Sequence, residues 1–93
     1  MTIRILLADD HSILRDGLAA LLEAQDGMAV VAHAQDGREA VRMASLHTPD
    51  VVVMDIVMPE LDGIEATRMI LKALPAVRVV ILSMYSTTEH IFR

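Results

Sequence analysis

The side chains best suited to chemistry lie directly after three apolar segments of the sequence. Asp9 and Asp10 follow the first segment, Asp55 follows a second, and Ser83 follows a third. If these segments are neighbouring strands of a parallel sheet, their carboxyl ends meet at one edge. Carboxylates brought together there repel one another, and a bound divalent cation would relieve the repulsion. Because oxygen ligands suit a hard ion, the pattern favours Mg²⁺ or Mn²⁺.

The Asp9–Asp10 pair and Asp55 each also have a purely structural interpretation. Asp9 and Asp10 could stabilise the amino end of a following helix, where carboxylates interact well with free N–H groups. Asp55 could simply begin a loop. It nevertheless favours metal binding, because it interrupts residues 51–58, which are otherwise uncharged. An unpaired carboxylate in such a run is costly.

The elements that would position these residues alternate regularly along the chain. We predict strands at 3–8, 28–34, 51–54 and 77–82, and helices at 12–25, from 36 to before Pro49, and at 65–74. A capping-box pattern opens the second helix at Asp36, and another at Ser86 predicts a fourth helix. Strands that alternate with helices indicate a parallel sheet covered on both faces.

The apolar residues of the first helix cluster on one face, and they are Ile13, Leu14, Leu18, Leu21 and Leu22. In the other two helices the residues expected to face the core are Ala40, Val41 and Ala44, and then Ile64, Met69, Ile70 and Leu74. The seven methionines are expected mainly to fill the core.

Composition excludes several classes of protein. The 93 residues suffice for one domain, and 54% of them are hydrophobic, with a mean hydropathy of +0.46. This is too apolar for a disordered segment. The longest uncharged stretch, 79–88, is too short to span a membrane. No secretory signal is evident, so we expect a cytoplasmic protein. A net charge of −5 with scattered basic residues argues against direct contact with nucleic acid or an anionic membrane.

Three segments resemble the receiver domain of two-component response regulators. They are Leu-Ala-Asp-Asp-His at 7–11, Val-Met-Asp-Ile-Val-Met-Pro-Glu-Leu-Asp-Gly at 53–63, and Val-Ile-Leu-Ser at 80–83. The second is the most specific, with Pro59 and Gly63 at the expected offsets from Asp55. The sequence looks most like the NarL/FixJ subfamily, whose receivers precede a LuxR-type DNA-binding domain. The resemblance implies a CheY/flavodoxin-like, doubly wound parallel sheet with strand order 2-1-3-4.

The resemblance also implies a role for each site residue. Asp55 would accept a phosphoryl group from a histidine kinase. The metal would be held by Asp9, Asp10, Asp55 and the backbone carbonyl of Val57, the phosphoryl oxygen by the Ser83 hydroxyl, and the loop would be shaped by Pro59 and Gly63. Tyr85 would tune the lifetime of the phosphoryl group or simply pack in its loop. His11 is expected to be a surface residue rather than a ligand.

Residues 1–93 are expected to form an incomplete receiver domain. By comparison with the family, the fifth strand with its lysine, the last helix and the DNA-binding output domain are missing. Phosphorylation of this segment should therefore be weakened. The fourth strand would present a hydrophobic edge at 79–82, which predicts a homodimer through strand 4 and helix 4.

The function implied is that of a phosphoacceptor that switches a transcription-regulating output domain, with at most self-catalysed phosphorylation and dephosphorylation. One alternative is a degenerate receiver that acts only in protein contacts. Another is a small Mg²⁺-dependent phosphohydrolase with Asp55 as nucleophile. A flavodoxin-type cofactor binder shares the fold, but the acidic turn at 8–12 would repel a phosphate unless a metal intervenes.

Overall fold

The computed structural model describes residues 1–82, in which strands and helices alternate strictly. The elements are β1 (Ile3–Ala8), α1 (Ser12–Glu23), β2 (Met28–Ala34), α2 (Gly37–His47), β3 (Val51–Asp55), α3 (Gly63–Ala73) and β4 (Arg78–Leu82). Each predicted strand agrees with its observed bounds to within one residue, and the predicted helices agree to within about two. The helix predicted from residue 86 lies outside the described residues.

The four strands form one parallel sheet in the order β2-β1-β3-β4, which confirms the predicted topology. Helices α2 and α3 pack against each other on one face of the sheet, and α1 packs against β1 and β2. Right-handed crossovers place α1 on the opposite face. The longest described helix, α1, has 12 residues, and none in residues 1–82 is long and apolar enough to cross a membrane.

The core lies between the sheet and the α2–α3 pair and is entirely aliphatic. Its buried members are Leu6, Ala8, Ala32, Ala34, Ala40, Ala44, Val52, Met54, Met58, Ala66, Ile70 and Val77. Small alanines on both helices allow them to approach the strands closely. On the other face, Ile5 and Leu7 of β1 are also buried. Burying one large aliphatic side chain contributes about 1.5–3 kcal/mol, so this core carries much of the stability.

The apolar face predicted for α1 is only partly covered. None of its residues is fully buried, and Ile13 and Leu21 are 89% and 66% exposed. Leu14, Leu18 and Leu22 are half-buried. Within residues 1–82, α1 packs mainly against β1 and β2, so only part of its apolar stripe is covered.

The predictions for α2 are confirmed, and those for α3 are half right. Ile70 is buried and Leu74 half-buried, whereas Ile64 and Met69 are exposed. The buried face of α3 is formed by Gly63, Ala66 and Ile70, so Ile64 and Met69 lie to either side of that face.

Strand β4 lies at one edge of the sheet formed by the described residues. Val80 and Ile81 are 51% and 42% exposed, as expected for an apolar edge. Association through this edge stays a prediction.

Candidate functional site

The carboxyl ends of β1 and β3 bring the acidic residues together. Ala8 is paired with Met54 in the sheet, so Asp9 and Asp55 follow paired positions of adjacent strands. One ligand atom from each of Asp9, Asp10, His11 and Asp55 lies within 4.8 Å of all the others. The sequence predicted this meeting of the carboxylates from the positions of the strand ends alone.

Asp9 is held by contacts from three directions. Its backbone N–H donates to the carbonyl oxygen of Ala34 in β2 at 2.9 Å. Its Oδ1 accepts from the backbone N–H of His11 at 2.7 Å, and its carbonyl oxygen accepts from Nη1 of Arg15 at 2.9 Å. Because Asp9 is only 2% exposed, these bonds fix it with little competition from water.

Asp55, the last residue of β3, is also buried, but its carboxylate has different surroundings from that of Asp9. It is 1% exposed, and neither carboxylate oxygen has a hydrogen-bond partner with good geometry among the described residues. Burial raises the pKa of Asp55 above its ordinary 3.8, and the charge of Asp9 raises it further. Backbone N–H groups of Val57 and Ile56 oppose the rise without cancelling it.

Two orphaned carboxylate oxygens beside two more carboxylates make a donor set that fits a divalent cation. An unsatisfied buried polar group costs about 1–3 kcal/mol, and more when it is charged. All of the carboxylate ligands here are hard oxygens, which Mg²⁺ and Mn²⁺ prefer. The predicted cation therefore fits the residues present.

His11 was expected to be a surface residue, and its ring is indeed half-exposed, but its Nδ1 lies among the acids. Nδ1 is 3.1 Å from Oδ1 of Asp9, 3.1 Å from Oδ1 of Asp10 and 3.9 Å from Oδ2 of Asp55. The hydrogen bond with Asp9 and then the charge of Asp10 raise the pKa of His11 above 6.5. Its place directly after Asp9 and Asp10 was the only sequence signal for this position.

Gly63 joins the site to α3 and cannot be replaced without movement. Its N–H donates to the carbonyl oxygen of Ile56 at 2.8 Å, and a Cβ built on it would overlap the carbonyl oxygen of Asp55. Asp62 caps α3 by accepting from the N–H of Glu65 at 2.9 Å. The loop-shaping role predicted for Gly63 thus has a steric basis.

The rest of the loop from 56 to 62 is tightly turned. The carbonyl oxygen of Pro59 accepts from the N–H of Leu61 at 2.8 Å. Between them, Glu60 has a φ of 70°, a conformation that non-glycine residues adopt rarely. Val57 lies at the surface of this loop, 49% exposed. Ser83 and Tyr85, the other predicted site residues, lie outside the described residues.

Sequence reasoning missed Gly37, which supports this loop from α2. A Cβ on Gly37 would overlap the carbonyl oxygen of Leu61, so the start of α2 touches the loop backbone. Asp36 caps α2 through the N–H of Glu39 at 2.8 Å, as the capping box predicted. The pattern Asp-Gly-x-Glu occurs at 36–39 and again at 62–65, and this repetition could have drawn attention to Gly37.

Comparison with known proteins decides the family. The family model of the response regulator receiver domain matches residues 5–93. The chain belongs to this family. The receiver domain is 44% identical over 90 residues to the transcriptional regulatory protein LiaR of Bacillus subtilis, covering 97% of this chain and 43% of LiaR. It therefore spans less than half the length of that curated relative.

Two solved structures have folds similar to that of this chain. One is a two-component response regulator of the LuxR family from Aurantimonas sp. SI85-9A1, with a TM-score of 0.87, 44% identity, and coverage of 99% of this chain and 66% of that one. The other is the CheX–CheY–BeF3–Mg²⁺ complex from Borrelia burgdorferi, with a TM-score of 0.84, 27% identity, and coverage of 97% and 68%. The CheY-like fold class is thereby confirmed.

Proposed function

We propose that this receiver domain accepts a phosphoryl group on Asp55 from a histidine kinase, in the cytoplasm and with Mg²⁺ or Mn²⁺, and thereby switches a transcription-regulating output domain. The observation that carries the proposal is the buried Asp55, whose two oxygens lack a well-formed hydrogen bond from residues 1–82, in a cluster with Asp9 and Asp10. Relatives such as LiaR are named as transcriptional regulators, which supports an output of that kind.

Asp9, Asp10 and Asp55 would hold the metal, together with the backbone carbonyl of Val57. The first three lie in one cluster of ligand atoms, which supports their part of the proposal. A related structure contains Mg²⁺ with BeF3, a group that mimics a phosphoryl group. When bound, the cation would offset the negative charge of the carboxylates and of the incoming phosphoryl oxygens.

The reaction requires Asp55 to act as a nucleophile. One of its carboxylate oxygens forms a bond to phosphorus while the bond from phosphorus to the donor nitrogen or oxygen breaks, and the leaving atom keeps the electron pair. Only the ionised carboxylate can attack, and burial beside Asp9 disfavours that form. The bonds that fix Asp9 keep the acids in place for charge neutralisation, which is the main need of phosphoryl transfer. Ser83 would contribute a hydroxyl to the phosphoryl oxygen.

The test is incubation with acetyl phosphate and Mg²⁺ followed by intact-mass measurement. We expect an adduct of about 80 Da that is stable in acid and labile in base, as an aspartyl phosphate is. Asp55→Asn should abolish the adduct, and chelation of the metal should do the same. Asp50→Asn is the matched control, because Asp50 lies at the opposite end of β3, and it should keep the adduct.

Other outcomes would favour the alternatives. Steady release of phosphate without a lasting adduct would indicate the phosphohydrolase. A folded protein that forms no adduct with any small phosphodonor would indicate a degenerate receiver that acts only in protein contacts. An adduct that persists in Asp55→Asn would place the phosphoacceptor elsewhere.

The exposed β4 edge supports a further proposal, that copies of this segment associate there. Val80 and Ile81 present apolar surface at the edge of the described sheet, where another strand can pair. Light scattering should therefore give a mass above the 10.2 kDa of one chain. Val80→Lys should restore a monomer, since charge on an edge opposes pairing. A stable monomer of the unaltered segment would contradict the proposal.

A further inference from the structure

Arg15 makes an unusual contact with the acidic cluster. It is the fourth residue of α1, and its partly buried side chain runs back toward the turn between β1 and α1. There, Nη1 donates to the backbone carbonyl oxygen of Asp9 at 2.9 Å. The backbone N–H of Arg15 also donates to the carbonyl oxygen of His11 at 2.9 Å. Both ends of this residue therefore hold the turn that carries Asp9 and Asp10.

An arginine beside carboxylates normally pairs with one of them, often through two parallel hydrogen bonds. Among the described residues Arg15 forms no such ion pair within 4.0 Å, and its Nε is buried without a hydrogen-bond partner. The guanidinium instead donates to a backbone carbonyl oxygen. As a result, Arg15 fixes the backbone of Asp9 without forming an ion pair with its carboxylate.

The position of Arg15 beside the acidic cluster is explained by the geometry of its contact and not by its charge. A positive charge near a divalent cation site repels the cation, so on electrostatic grounds alone the residue would weaken metal binding. We propose that Arg15 is a positioning residue for the cation site, and that its bond to the Asp9 carbonyl holds Asp9 and Asp10 in the arrangement that binds the metal. This inference rests on the proposed metal-dependent function.

The charge of Arg15 and its positioning role should affect metal affinity in opposite directions, which gives a direct test. The probe is Mn²⁺, and free Mn²⁺ is followed by electron paramagnetic resonance. Loss of charge alone would tighten Mn²⁺ binding, whereas loss of positioning weakens it. We expect Arg15→Met to raise the Kd for Mn²⁺ by about tenfold, the lower end of what loss of an outer-shell partner does. Arg15→Lys, which keeps a donor and the charge, should recover most of the affinity.

Arg68→Met is the matched control. Arg68 lies on α3 with 73% of its side chain exposed and pairs with Glu65 at 3.4 Å. The variant loses the same charge far from the turn, where screening makes its effect small, so the Kd should change by less than about twofold. Urea unfolding of each metal-free variant separates weakened binding from weakened folding. If Arg15→Met does not fold, the comparison of Arg15→Gln with Arg15→Lys takes its place, since glutamine is too short to replace the contact.

A second readout is phosphorylation by acetyl phosphate at varied Mg²⁺. The Mg²⁺ concentration for half-maximal rate should rise in Arg15→Met, while the rate at saturating Mg²⁺ stays near that of the unaltered protein. A purely structural role would not separate these two quantities. The inference is overturned if a folded Arg15→Met binds Mn²⁺ as tightly as the unaltered protein or more tightly. If the unaltered protein binds no Mn²⁺, the proposed metal site itself fails, and the inference fails with it.

Discussion

Two aspartates at the two ends of β3 show how the same side chain can be used in opposite ways. Asp50 stands just before the strand and is exposed, and its Oδ2 accepts from the backbone N–H of Arg4 at 2.8 Å. Its own N–H donates to the carbonyl oxygen of Arg4, and its carbonyl oxygen accepts from the N–H of Arg78. Asp50 thus joins the amino ends of β1, β3 and β4.

Asp55, five residues later, has none of these partners. Its oxygens are buried and lack a well-formed hydrogen bond within the described residues, and the nearby charge of Asp9 opposes its ionisation. A carboxylate that is partnered by the backbone serves the fold, whereas one that the fold leaves buried and unpartnered is available to a ligand.

The largest effect should come from the metal itself. At a free Mg²⁺ concentration of about 100 times its Kd, binding to the folded state should raise the free energy of unfolding by about 2.7 kcal/mol. The gain should be largely lost in Asp55→Asn and retained in Asp50→Asn. Urea unfolding with and without Mg²⁺ measures it. An equal gain in both variants would show that the metal does not use Asp55.

A methyl group at Gly63 should disturb the carboxyl end of β3 almost as strongly. Gly63→Ala places a Cβ against the carbonyl oxygen of Asp55, and such overpacking costs about 1–3 kcal/mol. Gly17→Ala is the control, because nothing lies within 4 Å of a Cβ there. Gly17 lies inside α1, where alanine should stabilise by about 0.5–1 kcal/mol. Unfolding midpoints that move in the same direction would contradict the steric assignment.

Removal of the Asp50 carboxylate should have a smaller effect. Asp50→Ala removes the acceptor for the Arg4 N–H, which costs about 0.5–1.5 kcal/mol. Asp55→Asn should cause no comparable loss in the metal-free protein, because it removes a buried charge that Asp9 repels. Urea unfolding at neutral pH in the presence of a chelator compares the two. A larger loss in Asp55→Asn than in Asp50→Ala would show that Asp55 has a structural partner.

The sequence predicted the sheet well because its signals are local. Short aliphatic runs, turn residues and capping boxes mark each element, and βαβ connectivity then determines where Asp9 and Asp55 meet. The exposure of α1 was not predicted, because periodicity shows which residues share a helix face and not which neighbour covers that face. Ile13 shares a face with Leu14 and Leu18 but lies 89% exposed.

The details of the site that were missed depend on tertiary contacts. The bond from Arg15 to Asp9 joins residues six apart through a turn whose shape no single residue specifies. The approach of Gly37 to Leu61 joins the start of α2 to a loop that is distant in sequence. Neither contact leaves a periodic pattern. Only the identity of the residues, a glycine after a capping aspartate and an arginine near an acidic turn, hints at them.

The smallest effect is the dependence of metal-free stability on pH. The pKa of Asp55 is raised above 3.8 in the folded state, so the folded state binds its proton more tightly than the unfolded state. Its contribution is complete below pH 3.8 and is lost as pH rises through the raised pKa. The pKa of His11 is likewise raised, so its contribution is complete below pH 6.5 and is lost as pH rises through the raised pKa.

Asp55→Asn removes the contribution of Asp55, because asparagine does not titrate, and it also removes one of the charges that raise the pKa of His11. The free energy of unfolding of Asp55→Asn minus that of the unaltered protein should grow as pH rises from about 4 through the raised pKa of Asp55. Urea unfolding in chelator across this range measures the difference. A constant difference for Asp55→Asn would mean that Asp55 titrates alike in the folded and unfolded chains. The fold would then not destabilise the ionised carboxylate, and a bound cation would have no such destabilisation to relieve.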